Sequence, residues 1–246
     1  MTYCVGLMLN KGLVFMSDTR TNSGVDNIST FQKMFTWEVP GERSITMMTA
    51  GNLATTQSVV SLLHERSKEP GARSPGILEA PSMFQVATMV GNLLKEVIST
   101  HAEAGQRADA AFNATIVLGG QVGDGEPRLF LIYPEGNFIE ASFDTPFFQI
   151  GETKYGRPIL VRAYDPDMSF EDAVKLLLVS FDSTIKANLS VSLPLDVHIY
   201  RKDSRKNGHV FRIASDDPYF EAVSSGWGIA LREAFGQLPE FVLPEA

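Results

Sequence analysis

The chain has 246 residues and a formal net charge of −8, from 21 Lys and Arg against 29 Asp and Glu. With 44% hydrophobic and 20% charged residues, its composition is that of a globular protein with enough apolar residues for a core. The acidic balance argues against a surface for nucleic acid or for an anionic membrane. A single Cys excludes an intrachain disulfide, and four scattered His form no zinc-binding pattern. We therefore expect no metal and no cofactor.

No targeting or membrane segment is predicted. The apolar start MTYCVGLML is short, lacks a basic beginning and runs into Asn10-Lys11-Gly12, where a signal peptide would have small residues at a cleavage site. No apolar run approaches the ~18 residues that a membrane-spanning helix needs. We expect a soluble, cytoplasmic protein.

The first fifty residues predict two antiparallel strand pairs. Residues 2–9 and 13–17 pair across Asn10-Lys11-Gly12, and residues 31–39 and 44–49 pair across Pro40-Gly41-Glu42. Helical periodicity follows at 52–69 and 81–103, on either side of a loop at 70–81. The later predicted elements are strands at 114–118, 128–133, 138–142 and 147–150, a helix at 169–188, strands at 195–200 and 209–213, and a helix at 217–235.

This order of strands and helices predicts a layered α+β fold, with two sheets face to face and helices outside. No linker divides the chain, so we expect one domain over residues 1–246. Its last part, residues 217–246, is a helix and tail with more apolar area than a free tail would tolerate. This segment packs either within the subunit or between subunits, and the sequence does not choose between the two.

Thr2 is a candidate nucleophile. Removal of Met1 would expose Thr2 with a free α-amine, whose ordinary pKa of about 7.7–8 leaves part of it neutral near pH 7. A neutral α-amine can act as general base for the hydroxyl of its own residue. Many proteins begin with Met-Thr, so this feature alone predicts little.

Three further groups support this interpretation. Ser17-Asp18-Thr19-Arg20 ends the second strand with a carboxylate and a guanidinium on one face. Lys33 lies among apolar neighbours, either at an edge or held near a carboxylate, and a charge beneath Thr2 would lower the pKa of the amine. Thr49-Ala50-Gly51-Asn52 lies where a strand meets a helix, and backbone amides at such a junction can form an oxyanion hole.

These residues, in this order and spacing, resemble the proteasome β-type subunits, a family of N-terminal-nucleophile hydrolases. MTYCVGLMLNKGLVF, SDTRTNSGVDNISTFQKM and SFDSTIKANLSVSLPLDV are similar to its bacterial branch called Anbu, the ancestral β subunit. The resemblance implies a four-layer αββα sandwich. It also implies Thr2 as nucleophile, Asp18 and Lys33 as its supporting pair, Arg20 as a structural partner, and the Gly51 amide as an oxyanion donor.

The chain departs from the family pattern at two places. Where the family has a Gly-Ser-Gly loop, this chain has Gly151-Glu152, so the usual Ser is replaced by an acidic residue. The expected Asp-x-x-Ser begins at Asp182 but has Ile185 at its last position, with Ser183 nearby. Asp182 and Ser183 are therefore candidates for the supporting residues of the site.

The resemblance implies a threonine-type endopeptidase acting on peptides or unfolded proteins and assembled as a homo-oligomer, ring or ring-like. An unfoldase partner is not identified by the sequence. Two other functions fit the same residues. The first is a catalytically silent assembly or scaffold protein, and the second is an amidohydrolase for small amides.

Overall fold

The computed structural model describes residues 2–22, 28–68, 76–103 and 112–244. Met1, residues 70–75 of the predicted loop and residues 245–246 of the predicted tail lie outside these ranges. The strands are β1 Tyr3–Leu9, β2 Gly12–Asp18, β3 Arg20–Asn22, β4 Ile28–Thr30, β5 Met34–Val39, β6 Arg43–Gly51, β7 Ala114–Val122, β8 Arg128–Ile132, β9 Phe138–Glu140, β10 Phe147–Gly151, β11 Leu195–Arg201 and β12 His209–Ile213. The helices are α1 Leu53–Lys68, α2 Met83–Glu103, α3 Arg157–Ala163, α4 Phe170–Ala187 and α5 Pro218–Gly236.

Two five-stranded sheets form the centre of the described chain. The first has the order β10-β1-β2-β11-β12 and the second the order β5-β6-β7-β8-β9, and a two-stranded ribbon of β3 and β4 stands beside them. All neighbouring strands are antiparallel, and short turns join some of the pairs, such as β1 with β2 and β5 with β6.

Three apolar layers hold the sheets and helices together. Side chains of α1 and α2 pack on the second sheet, and those of α3, α4 and α5 pack on the first. A third cluster fills the space between the two sheets, with Phe15 and Tyr200 from one sheet facing Met48 and Val117 from the other. The α+β fold class and the four-layer αββα sandwich are therefore confirmed.

Alternate residues of β1 point to opposite sides of the first sheet, and both sides are covered. Tyr3, Val5 and Leu7 face the helices, whereas Cys4 faces the second sheet. Because both faces of β1 are packed, the strand has a fixed position. Thr2, which directly precedes β1, is therefore attached to a rigid element.

Three sequence-based predictions of local structure were incomplete or wrong. The strand predicted at 31–39 begins only at Met34, so Lys33 lies in the connection before β5 and not in the strand. The β3–β4 ribbon was not predicted, because each of its strands has three residues and shows no measurable alternation. Helix α3 was missed because it has only seven residues and its N-cap residue, Gly156, has no side chain to cap it.

Among the described residues, none of the helices combines the length and the hydrophobicity that crossing a membrane requires.

Candidate active site

The site is built where β1 begins and β2 ends. These two strands pair with Cys4 opposite Ser17, which places Asp18, the last residue of β2, beside the start of β1. The backbone N–H of Tyr3 donates a 2.9 Å hydrogen bond to Oδ1 of Asp18. Thr2, which is half-buried, is therefore held next to a buried carboxylate.

Asp18 and Lys33 form a buried ion pair. Nζ of Lys33 lies 2.8 Å from Oδ1 of Asp18 and also donates a 2.5 Å hydrogen bond to the backbone carbonyl of Arg20. The pKa of Asp18 is raised from 3.8 to about 6 because burial, which raises it, outweighs the Lys33 ammonium, which lowers it. The second oxygen, Oδ2, is buried and makes no hydrogen bond with the described part of the chain.

The backbone of Lys33 is fixed by the second sheet. Its carbonyl accepts a 3.0 Å hydrogen bond from the N–H of Thr49, near the end of β6. The next residue, Met34, is buried between the sheets and begins β5. Lys33 thus reaches from the second sheet to a carboxylate of the first, and the ion pair joins the two.

Gly51 ends β6 in a conformation that needs glycine. Its φ is +116°, and a Cβ there would lie 2.3 Å from the carbonyl oxygen of Asn113. The following Asn52 caps α1, since its Oδ1 accepts a 3.0 Å hydrogen bond from the N–H of Thr55. The end of β6 therefore lies in close backbone contact with Asn113. Helix α1 begins just after it, and the first backbone N–H groups of a helix have no partner within the helix.

A cleft of about 360 Å³ joins these residues. Its lining includes Thr2, Lys33 and Gly51, together with Thr49 and Ala50 of the predicted strand–helix junction. The other lining residues, which were not predicted as site residues, are Thr21, Gln32, Leu53, Thr56 and Gly151. The structure therefore brings Thr2, Lys33 and Gly51 to one cavity, with Asp18 beneath it in contact with Lys33.

Comparison with known proteins identifies the family. The family model described as "Proteasome subunit" matches residues 2–192. The structure of Anbu, the ancestral β-subunit, from Yersinia bercovieri is 47% identical with a TM-score of 0.91, over 98% of this chain and 100% of that one. The chain belongs to the proteasome subunit family, in its Anbu branch.

Two further relatives agree with this assignment. The structure described as the helical assembly of the Anbu complex from Pseudomonas aeruginosa is 44% identical with a TM-score of 0.91, over 98% of both chains. The protein described as proteasome subunit beta from Haloquadratum walsbyi is 25% identical over 82% of this chain and 74% of its own length. The resemblance seen in the motifs thus extends over nearly the whole sequence.

The other predicted site residues are placed differently. Arg20 holds Lys33 through its backbone carbonyl, whereas Nε of its side chain is buried without a hydrogen-bond partner in the described chain. Asp182 is buried on α4 and pairs with Lys186 at 3.1 Å. Ser183 donates to the backbone carbonyl of Val179 within the same helix. The hydrogen bonds described for Asp182 and Ser183 do not join either residue to Thr2.

A polar network around the Tyr3 hydroxyl was not predicted from the sequence. The Tyr3 hydroxyl lies 2.7 Å from Oγ of Ser180 and accepts a 2.6 Å hydrogen bond from Nε2 of Gln149. Its ring packs on Phe181 with centroids 4.5 Å apart, and burial raises the pKa of Tyr3 to about 12. The hydroxyl is therefore neutral near pH 7 and anchors β1 to α4. The strand pattern around Tyr3 gives no sign of this role.

Proposed function

We propose that the protein is a threonine peptidase in which Thr2, once it is the first residue, hydrolyses peptide bonds. The observation that carries the proposal is the buried Asp18–Lys33 pair, placed against the start of β1 beside an open cleft. A buried ion pair is costly to desolvate, so stability alone gives little reason to have one here. A role in tuning the terminus accounts for it.

The acylation step follows from the groups at the terminus. The neutral α-amine of Thr2 accepts the proton of its own Oγ, directly or through one water, as Oγ bonds to the substrate carbonyl carbon. Collapse of the tetrahedral intermediate breaks the C–N bond, and the proton passes to the departing amine. The product is an ester between Thr2 and the acyl half of the substrate.

Hydrolysis of this ester repeats the same proton path with water. The α-amine accepts a proton from water, water attacks the ester carbonyl, and the proton returns to Oγ as the acid is released. The Lys33 ammonium favours the neutral amine by lowering its pKa, and Asp18 keeps that ammonium in place. The backbone N–H of Gly51 is the donor that we assign to the oxyanion in both steps.

Peptide hydrolysis by protein that begins at Thr2 tests the proposal. A tag cleaved to leave Thr2 first removes any dependence on Met1 processing. The substrates are a mixed library of short peptides and an unfolded polypeptide, followed by mass spectrometry of the products. We expect cleavage by the wild type, none by Thr2→Ala, and retained cleavage by Thr2→Ser. Equal cleavage by wild type and Thr2→Ala would show that the activity comes from elsewhere.

The same experiment separates the two other functions. An amidohydrolase for small amides would leave polypeptide intact and cleave only short acyl amides. A silent scaffold would cleave neither. Glu152 in place of the usual Ser is the observation that favours a scaffold, but its backbone N–H still donates a 2.7 Å hydrogen bond to the carbonyl of Thr2, which supports a functional terminus.

We further propose that copies of this chain assemble through its C-terminal part, residues 217–246. Within the described residues, α5 packs on α4 through Phe220 and Val223, whereas Phe235 and Leu238 are 76% and 63% exposed. The apolar residues Phe241, Val242 and Leu243 of the tail are also exposed. The Anbu relative from Pseudomonas aeruginosa is described as a helical assembly. A second copy of this chain is therefore the partner that we assign to this surface.

A further inference from the structure

The end of β10 holds the backbone of residue 2 directly. The ladder between β1 and β10 begins with Tyr3 opposite Gly151, and one further hydrogen bond of 2.7 Å runs from the N–H of Glu152 to the carbonyl of Thr2. Gly151 has a φ of +83°, and a Cβ there would lie 1.9 Å from the same carbonyl oxygen. The backbones of residues 2 and 151 are thus in direct contact, and only glycine leaves room for this contact.

The side chain of Glu152 is fixed as well. It is 8% exposed, and its Oε2 accepts a 2.9 Å hydrogen bond from Nδ2 of Asn188. Asn188 is the C-cap residue directly after α4, and its Oδ1 accepts a 3.0 Å hydrogen bond from the N–H of Ser190. Because Oδ1 is taken by a donor, the amide of Asn188 is oriented with its N–H toward Glu152. The carboxylate therefore has one preferred position.

We propose that Glu152 and Asn188 form a positioning pair that keeps residue 2 in place for catalysis. This inference rests on the proposed function of Thr2. The pair runs from the residue that follows α4 to the backbone of residue 2, so it holds the terminus against the side of the cleft that Gly151 lines. A carboxylate that is nearly buried and charge-assisted in its hydrogen bond is a rigid link.

A positioning role predicts an effect on turnover. The reacting hydroxyl, the α-amine and the substrate carbonyl must meet within a few tenths of an ångström, and misplacement by about 1 Å costs about 100-fold in rate. Loss of the link is therefore expected to lower kcat about 10- to 100-fold. KM should change little, because neither Glu152 nor Asn188 lines the cleft.

The test compares Glu152→Ala, Glu152→Gln, Asn188→Ala and the double alanine variant, each beginning at Thr2. Glu152→Gln keeps an oxygen that can accept from Asn188, so its kcat should stay within about threefold of wild type. Both single alanine variants should lose 10- to 100-fold in kcat, and the double variant should lose no more than either. Equal losses for Glu152→Gln and Glu152→Ala, or unchanged kcat in Glu152→Ala, would overturn the positioning pair.

Hydrogen exchange tests the same link without activity. The amide of residue 152, which donates to Thr2, should exchange faster in Glu152→Ala and Asn188→Ala, and at the wild-type rate in Glu152→Gln. Unchanged exchange in both alanine variants would overturn the link. If the variants differ from wild type in exchange as predicted but the wild type cleaves no peptide, the link is supported and the proposed function of Thr2 is overturned.

Discussion

The ammonium of Lys33 and the carboxylate of Asp18 are 2.8 Å apart, with 5% and 0% of their side chains exposed. One oxygen of Asp18 accepts from both the ammonium and the backbone N–H of Tyr3. The pair therefore links a loop of the second sheet to the first residues of β1. In the proposed mechanism, this link places a positive charge near the amine of Thr2.

Lys33→Met is predicted to lower both activity and stability. Methionine fills the space but leaves the Asp18 carboxylate buried without its partner, and removing one member of a buried pair costs about 3–5 kcal/mol. Urea unfolding measures this loss, and peptide turnover should fall below detection. The control is Lys33→Met with Asp18→Asn, which removes both charges. It should regain most of the stability and none of the activity. A single variant as stable as wild type, or an active double variant, would contradict the role given to the pair.

The carboxyl of Asp18 is predicted to titrate with a midpoint near 6. Burial raises its pKa in the folded protein to about 6 from 3.8, so ionisation of Asp18 disfavours the fold. Its contribution to stability is fully present below pH 3.8 and is lost as the pH rises through about 6. The carboxyl ¹³C shift of Asp18, followed by NMR, gives the midpoint directly.

Lys33→Met should raise that midpoint further, because the ammonium lowers the pKa of Asp18. Asp18→Asn identifies the signal and should lack the pH-dependent loss of stability. A midpoint near 3.8 in the wild type would contradict the raised pKa of Asp18, and no upward shift in Lys33→Met would show that the two groups are not coupled.

Gly51→Ala is predicted to impair activity more than its backbone strain alone explains. A non-glycine residue in a left-handed conformation costs about 1–2 kcal/mol. At Gly51 the added Cβ would also meet the carbonyl of Asn113 at 2.3 Å, so the strand end and its N–H must move. Loss of one oxyanion donor lowers kcat by about 100- to 1,000-fold.

Gly41 provides the matched control for Gly51. It has a φ of +82° and no atom within 4 Å of an added Cβ. Gly41→Ala should therefore lose stability through strain alone and keep wild-type kcat. A Gly51→Ala variant with wild-type kcat would remove the Gly51 amide from the proposed oxyanion site.

Much of the fold followed from the sequence because the strands are short, alternate clearly and are joined by turns with recognisable residues. That Thr2, Asp18, Lys33 and Gly51 meet was implied by the family resemblance, and in the structure each stands at or next to the end of an element. Asp182 and Ser183 were predicted only from a family spacing that this chain does not keep. In the structure their hydrogen bonds lie within α4 or with Lys186.

The remaining features depend on contacts between distant parts of the chain. Asn188 follows α4 and gives no local sign that its amide reaches Glu152, which lies 36 positions earlier. Tyr3 reads as an ordinary strand residue, although its hydroxyl meets Ser180 and Gln149 in the fold. Such side-chain pairs are set by how the layers stack, and strand and helix patterns do not encode that.

Phe235→Asp is predicted to weaken assembly without destabilising the subunit. Phe235 is 76% exposed in the isolated chain, so a charge there costs the subunit little but would be buried between copies. Sedimentation velocity should show a shift toward smaller species with an unchanged unfolding midpoint. Phe143→Asp is the control, because Phe143 is 82% exposed and lies in the connection between β9 and β10, outside the C-terminal segment. Equal sedimentation of wild type and Phe235→Asp would exclude Phe235 from the interface.

The most direct test of the central claim is the intact mass of the protein beginning at Thr2, before and after exposure to a peptide epoxyketone. This electrophile forms its ring adduct with both Oγ and the free α-amine of an N-terminal threonine, so it reports the proposed nucleophile and base together. We predict one adduct per chain in the wild type and none in Thr2→Ala. A wild type that begins at Thr2 and remains unmodified across a panel of such peptides would contradict the assignment of Thr2 as a catalytic nucleophile.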